Sequence, residues 1–211
     1  MYTGIVKGIY QVHDLVSKTG LVTPTFIFDE PILNGLELGA SVAVDGVCLT
    51  VSKIEGNKVS FDIMKQTLET TTLGEMKVND SFNVERSAKE GQEIGGHPLS
   101  GHIDAMIEIV NIEAPENNHV ITFQAPKDMI RYIFKKGFIA LNGASLTVAE
   151  INKETGQFSV FLIPETLRLT TFGAKKTGDS INLEIERKTQ VMVDTIRESM
   201  KEILADSQNK D

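Results

Sequence analysis

The sequence predicts an all-β chain built from two copies of one antiparallel domain, a barrel or a sandwich in each half, followed by a C-terminal helix. Three observations predict it. First, VDGVCLTV at 44–51 is written again as LNGASLTV at 141–148, so that Asp45 and Asn142, Cys48 and Ser145, and Thr50 and Thr147 are each 97 positions apart (142 − 45). TLETTTLG at 67–74 returns as TLRLTTFG at 166–173, and DSFNVE at 80–85 as DSINLE at 179–184, both at an offset of 99 (166 − 67). Self-similarity over whole halves with one two-residue insertion marks a duplicated domain. Second, each half alternates short β-branched and aromatic runs with Gly-containing turns and has no βαβ rhythm. Third, Val193, Ile196, Met200 and Ile203 are spaced 3, 4 and 3, the stripe of an amphipathic helix.

The elements follow in order. Residues 4–12 have strand composition, and with Lys7 inside the apolar stretch and no small-residue cleavage site they are expected to be a first strand rather than a signal peptide. Residues 22–28 form a second strand whose Pro24 predicts an edge or a strand start. Residues 29–41, with Pro31 early and Gly35 late, predict one helical turn or a compact loop. Residues 41–54 are one bent strand or two, with Gly46 at the bend, and Glu55-Gly56-Asn57 is a hairpin turn before a strand over 58–64. A short helix over 66–74 and a strand over 81–86 complete the half. The second half repeats this with strands over 99–110 and 119–125, a short helical segment over 127–134, and strands over 138–151 and 158–164. Its hairpin turn over 153–157 holds the insertion. The division expected is residues 1–88, a Gly-rich linker 89–97, residues 98–187, and a helix with a tail from 188 to 211, frayed after Leu204. Each half is expected to carry its own core and pocket.

Composition excludes several functions. With 21 Lys and Arg against 29 Asp and Glu, the net charge of −8 argues against a nucleic-acid backbone as partner. One cysteine cannot form an intrachain disulfide and suits a reducing compartment, and no apolar run approaches a membrane span, so a soluble, cytoplasmic protein is expected. His97 and His102, five apart with no cluster of Cys or acidic ligands, make a poor metal site. The glycines around them lack the strand–GxGxxG–helix context of a dinucleotide site. Cys48, in a strand-like run, is either a small buried hydrophobe or a thiol facing a pocket. Ser145 places a hydroxyl at the matching point of the other half, and His102 is of a residue type suited to general acid or base work. The threonines at 70–72 and 170–171 either hydrogen-bond a polyhydroxylated ligand or cap helices, and capping is the favoured reading.

Taken together, MYTGIV at 1–6, GVCLTV at 46–51, FDIMKQTL at 61–68, IGGHPLSGHID at 94–104, GASLTV at 143–148 and LIPETLRLTT at 162–171 resemble the alpha-type riboflavin synthase family along nearly the whole chain. The resemblance implies two six-stranded Greek-key β-barrels, a C-terminal helix and a homotrimer. It implies a transferase that dismutates two molecules of 6,7-dimethyl-8-ribityllumazine into riboflavin and 5-amino-6-ribitylamino-2,4-pyrimidinedione, with no metal or other cofactor. The lumazine synthase that makes the substrate is implied as a neighbour. In the first half the resemblance assigns substrate binding to Gly4, Ile5 and Val6, to Ser41, to Cys48, Leu49 and Thr50, and to Asp62, Ile63, Met64, Lys65, Gln66 and Thr67. In the second half it assigns Gly101, His102 and Ile103, Lys136, Ser145, Leu146 and Thr147, and Leu162, Ile163, Pro164, Glu165, Thr166 and Leu167. Cys48, His102 and Ser145 are the catalytic candidates. Two positions depart from the family pattern: Asn142 stands where an Asp is usual, with the acid at Asp45 in the first half, and Glu186 replaces a second Asp. A non-catalytic reading also exists, because the lumazine- and flavin-binding optical proteins of luminous bacteria share this duplicated barrel. A flavin-reductase barrel would need a nicotinamide-binding domain that the chain lacks.

Overall fold

The computed structural model describes residues 1–115 and 118–208. The first half contains β1 (Gly8–Lys18), β2 (Leu21–Ile27), β3 (Ser41–Val44), β4 (Val47–Glu55), β5 (Lys58–Phe61), β6 (Ile63–Met64) and β7 (Ser81–Arg86). The strands run in the order β1-β7-β3-β4-β5-β2, and antiparallel pairing of β1 with β2 closes the ring, leaving β6 as a short extension on β2. The second half contains β8 (Ala105–Glu113), β9 (His119–Gln124), β10 (Phe138–Leu141), β11 (Ala144–Asn152), β12 (Gln157–Leu162) and β13 (Ser180–Glu184). They close in the matching order, β10-β11-β12-β9-β8-β13. Both halves are therefore closed antiparallel six-stranded barrels rather than sandwiches, and closure leaves few strand edges open. Inward-facing Val, Ile and Phe fill each barrel, among them Phe26, Phe61, Val59 and Val84 in the first and Ile109, Phe123, Phe158 and Leu183 in the second.

Several sequence expectations shift in detail. Residues 4–7 and 99–104 are connections bent at Gly4 and Gly101, and the strands begin only at Gly8 and Ala105. Pro24 lies inside β2, which pairs on both sides, so it is neither on an edge nor at a strand start. It is tolerated because β2 passes there from β6 to β5, opposite the break at Asp62, whose Oδ1 accepts the Thr23 hydroxyl at 2.7 Å. Residues 41–54 form two strands, not one. Asp45 (φ +43°) and Gly46 (φ +80°), like Asn142 (φ +44°) and Gly143 (φ +77°), are the two left-handed residues of tight hairpins, a role that suits Asp-Gly and Asn-Gly. The helices are short: α1 (Glu30–Leu33), α2 (Lys65–Thr70) and α3 (Pro164–Leu169). Thr70, Thr71 and Thr170 return their hydroxyls to carbonyls four residues back, and Thr71 also accepts from Leu73, so these threonines finish helical turns.

The two hairpin tips meet on a local dyad. A Cβ added to Gly46 would lie 2.7 Å from the Gly143 nitrogen, and one added to Gly143 would lie 2.8 Å from that of Gly46. Around them the amides of Asn83 and Asn182 cross: each donates Nδ2 to the carbonyl of the opposite hairpin, Asn142 or Asp45, and each accepts a backbone N–H, from Thr171 or Thr72. Tyr2 and Leu99, 97 positions apart, exchange both backbone hydrogen bonds (2.9 and 3.0 Å) on the same axis. Gly46→Ala is accordingly expected to destabilise the fold by about 3–4 kcal/mol, from positive φ plus overpacking. Gly56→Ala, at φ +60° with open space around it, should cost only about 1–2 kcal/mol. Equal urea midpoints for the two variants would show that the hairpin contact contributes nothing.

The halves are not self-contained. Val6 belongs to the core of the second barrel, and Ile103 packs against the core of the first. Each connecting segment thus crosses the dyad before starting its own barrel. The C-terminal helix, α4 (Arg187–Gln208), runs past Leu204, where fraying is expected, and the tail beyond 208 lies outside the described residues. Its base is fastened to the second barrel by Val193 and by the Tyr132 hydroxyl, which donates to Asp194 at 2.7 Å. Only Val193 of the expected stripe is half-buried. Ile196, Met200 and Ile203 are 53–64% exposed, with Met192 beside them.

Candidate active site

Each crossing segment ends against the strand that carries a catalytic candidate. Gly101 closes on β4 of the first barrel: its carbonyl accepts the Cys48 N–H at 2.9 Å, and a Cβ there would fall 2.6 Å from the Cys48 Cβ. Gly4 does the same to β11 of the second barrel, accepting the Ser145 N–H at 2.8 Å with a prospective Cβ 2.4 Å from that of Ser145. Only glycine fits at this separation, and both adopt positive φ, +74° and +80°. Cys48 and Ser145, both half-buried, therefore occupy equivalent places in two equivalent frames.

The chemistry around them is not equivalent. The buried Tyr2 hydroxyl donates to Cys48 Sγ at 3.0 Å, and burial, aided by that bond, pushes the phenol's pKa up, so it stays a donor at neutral pH. Ser145 instead meets His97, whose Nδ1 lies 2.6 Å from Oγ. The imidazole is buried, stacks on Phe138 (centroids 5.1 Å apart, planes 14° apart) and leaves Nε2 buried without a hydrogen-bond partner. Burial holds its pKa below the usual histidine range, and the nearby Glu186 charge offsets this in part. A neutral imidazole beside a hydroxyl can accept its proton, so Ser145 and His97 form a base pair that Cys48 and Tyr2 cannot copy.

His97 is the residue that sequence reasoning passed over as part of a linker. Its signal was its place in the compact GGHPLSGH stretch, where Gly96 also packs on the Ser145 Cβ, 2.7 Å from a prospective Cβ of its own. His102 is positioned through its backbone: its N–H donates to Ser100 Oγ, its carbonyl accepts from Arg187, and its ring is exposed. Among the described residues no three His, Cys, Asp or Glu side chains gather as a metal ion would require.

The other expected site residues flank these two centres. Ser41 pairs across the strands with Thr50, beside Cys48, while Leu49 points into the first core. Asp62, Met64, Lys65 and Gln66 are exposed on the rim, Thr67 is half-buried and Ile63 is in the core. On the second barrel Thr147 pairs with Phe138, Leu162 is core, Ile163, Pro164 and Glu165 are exposed, and Thr166 and Leu167 are half-buried. Lys136 stands at φ +66° where the first repeat has Gly39, and both donate N–H into β11 or β4, to Val148 or Val51. A lysine held left-handed costs about 1–2 kcal/mol, so the backbone there is dictated by the barrel rather than by the residue. Asn142 is a hairpin corner whose Oδ1 accepts the Asn182 N–H, as Asp45 accepts that of Asn83. Glu186 caps α4, accepting the Thr189 hydroxyl beside a hollow of about 350 Å³ lined by Met1, Pro98, Leu99 and Ser100.

Comparison with known proteins places this arrangement. The model of the lumazine binding domain matches twice, over residues 3–87 and 100–186. The riboflavin synthase of Escherichia coli is 48% identical over 197 residues, covering 93% of this chain and 92% of that protein. That of Buchnera aphidicola subsp. Schizaphis graminum is 45% identical over 203 residues, 95% of this chain and 96% of its own. Among solved structures, LumP complexed with 6,7-dimethyl-8-(1'-D-ribityl) lumazine superposes with a TM-score of 0.79 at 27% identity, over 89% of this chain and 100% of that one. On these matches the chain belongs to the riboflavin synthase family of duplicated lumazine-binding domains.

Proposed function

We propose that the protein is a riboflavin synthase: it takes two molecules of 6,7-dimethyl-8-ribityllumazine, moves a four-carbon unit from one to the other, and releases riboflavin and 5-amino-6-ribitylamino-2,4-pyrimidinedione. The observation that carries this reading is the pair of equivalent barrel frames holding unlike groups, Cys48 with Tyr2 in one and Ser145 with His97 in the other. Two identical substrates with opposite fates, donor and acceptor, call for that combination of like shape and unlike chemistry. The lumazine 7-methyl group is acidic because its anion delocalises into the ring system, so a neutral imidazole relayed through a hydroxyl is base enough to remove its proton. The two products together hold the atoms and electrons of two lumazines, so no external oxidant or reductant enters. The lumazine-binding halves are residues 1–88 and 98–187, and the ribityl chain and pyrimidine edge are held by the rim: Ser41, Thr50, Asp62 and Met64 on one barrel, Lys136, Thr147, Ile163 and Thr166 on the other. His102, exposed beside Gly101, faces the ligand of the first barrel.

The exposed stripe of α4, Met192, Ile196, Met200 and Ile203, supports self-association as a homotrimer, since such a row is ordinarily covered. In that assembly the first barrel of one chain faces the second barrel of a neighbour. No helix among the described residues is long and apolar enough to cross a membrane, and we place the enzyme in the cytoplasm, receiving substrate from lumazine synthase. The primary test is incubation of the pure protein with dimethylribityllumazine alone. Riboflavin is expected, and tight binding without riboflavin would favour the non-catalytic lumazine- or flavin-binding reading. Replacing His97 by Gln should lower kcat by about 100-fold or more while leaving KM within about twofold. An unchanged kcat for His97→Gln would remove it from the chemistry.

A further inference from the structure

Two buried carboxylates outside the centres just described carry the strongest unassigned geometry. Glu184, at the end of β13, accepts three hydrogen bonds from two successive residues: Oε1 takes the Ser100 N–H and hydroxyl, both at 2.7 Å, and Oε2 takes the Gly101 N–H at 3.0 Å. Glu85, in β7, repeats the pattern on Thr3 (2.7 and 2.6 Å) and Gly4 (3.0 Å). Their exposures are 2% and 3%. Burying a carboxylate is costly unless its lone pairs are filled, and here donors from one dipeptide fill three of them. That grip fixes two successive peptide units, the one ending at Ser100 or Thr3 and the one ending at Gly101 or Gly4. The carbonyl one step further, that of Gly101 or Gly4, is the acceptor for the N–H of Cys48 or Ser145 in the opposite barrel.

We propose that Glu184 and Glu85 are positioning residues acting across the dyad, Glu184 setting Cys48 of the first barrel and Glu85 setting Ser145 of the second. The glycine contacts leave no slack for the segment to shift independently of the strand it touches, because Gly101 and Gly4 already sit against the two Cβ atoms. Each half-site is therefore built from three parts: the strand with the reactive side chain, the crossing segment, and a glutamate of the other barrel. Emptying or loosening one clamp disturbs the reactive group of the barrel to which the glutamate does not belong.

The consequence for turnover rests on the riboflavin synthase reading, whereas the consequence for the Cys48 thiol does not. In Glu184→Gln one oxygen becomes an amide donor facing the Gly101 N–H, so the clamp loses an acceptor without changing shape. Cys48 is the only cysteine, so the alkylation rate of the native protein with iodoacetamide reports on it alone. Glu184→Gln should speed alkylation at least about fivefold as Gly101 and Tyr2 release the sulfur, and Glu85→Gln should change it less than about twofold. Ser100→Ala, which removes one hydrogen bond and leaves the carboxylate, should move the rate in the same direction by less, and it decides the matter if Glu184→Gln does not fold. Urea unfolding of each variant separates this from general loosening. An unchanged rate in Glu184→Gln or Ser100→Ala, or equal acceleration in Glu85→Gln at equal stability, overturns the proposal. Both Gln variants should also lower kcat by about 10- to 100-fold with little change in KM. If the wild-type protein forms no riboflavin, the functional reading fails and the thiol measurements still decide the clamp.

Discussion

A mixture of two inactive variants, Cys48→Ala and Ser145→Ala, should regain riboflavin formation once their subunits exchange. Each variant keeps one intact centre, on the first barrel in Ser145→Ala and on the second in Cys48→Ala. Cys48 and Ser145 of one chain lie on opposite sides of the dyad contact formed by Gly46, Gly143, Asn83 and Asn182. If a productive site joins the first barrel of one subunit to the second of the next, random reassembly of an equal mixture in a closed ring makes about one site in four fully intact. The expected result is therefore activity near a quarter of wild type, from two preparations each silent alone. Sites made within one chain would keep a lesion in every site. A mixture that stays inactive, although labelled subunits are seen to exchange, would put the site within the chain and refute the assembly proposed above.

The sequence carries the duplication openly, and with it much of the fold. An offset of 97 pairs Gly4 with Gly101, Asp45 with Asn142 and Cys48 with Ser145, and these are the pairs that the dyad relates. The crossing of segments is not legible, because alternation of apolar residues reports which face is buried and not in which barrel. Val6 and Ile103 read as ordinary inward residues of their own repeats, yet each fills the neighbour's core. Of the three catalytic candidates, Cys48 and Ser145 fall at equivalent centres, whereas the ring of His102 is exposed. His97 escapes because burial by Phe138 and contact with Ser145 are tertiary facts, and a histidine in a Gly-rich linker carries no period. Closure of the barrels, too, depends on β1 meeting β2 beside a bulge near Val12, which no local signal announces. The Asp-Gly tip read only as a bend at Gly46, although Asp-Gly and Asn-Gly both favour two successive left-handed residues.

Those tips differ in one atom pair, and the difference should be measurable as stability. Asp45 is 2% exposed, and burial raises its pKa to about 7 from 3.8, with the Asn83 N–H and the Lys175 charge pulling it partly back. A group whose folded pKa is raised favours the protonated fold, so its ionisation takes stability away as pH rises from about 4 through 7, and the full loss persists above 7. A shift of this size corresponds to an upper figure of about 4 kcal/mol. Asp45→Asn should remove the loss, because Asn142 already shows that an amide fits the same corner: left-handed φ, Oδ1 accepting the facing backbone N–H, and an Nδ2 without a partner. A protonated carboxyl and an amide are alike in bringing no charge into the corner, so the variant and the wild type should match near pH 4. Above pH 7.5 the variant should be more stable by about 2–4 kcal/mol, and the gap should open across the interval between the two pKa values. Paired urea titrations from pH 4 to 8.5 measure that gap directly. A difference that does not vary with pH would mean that Asp45 keeps an ordinary carboxylate pKa inside the junction, with its charge balanced by Lys175.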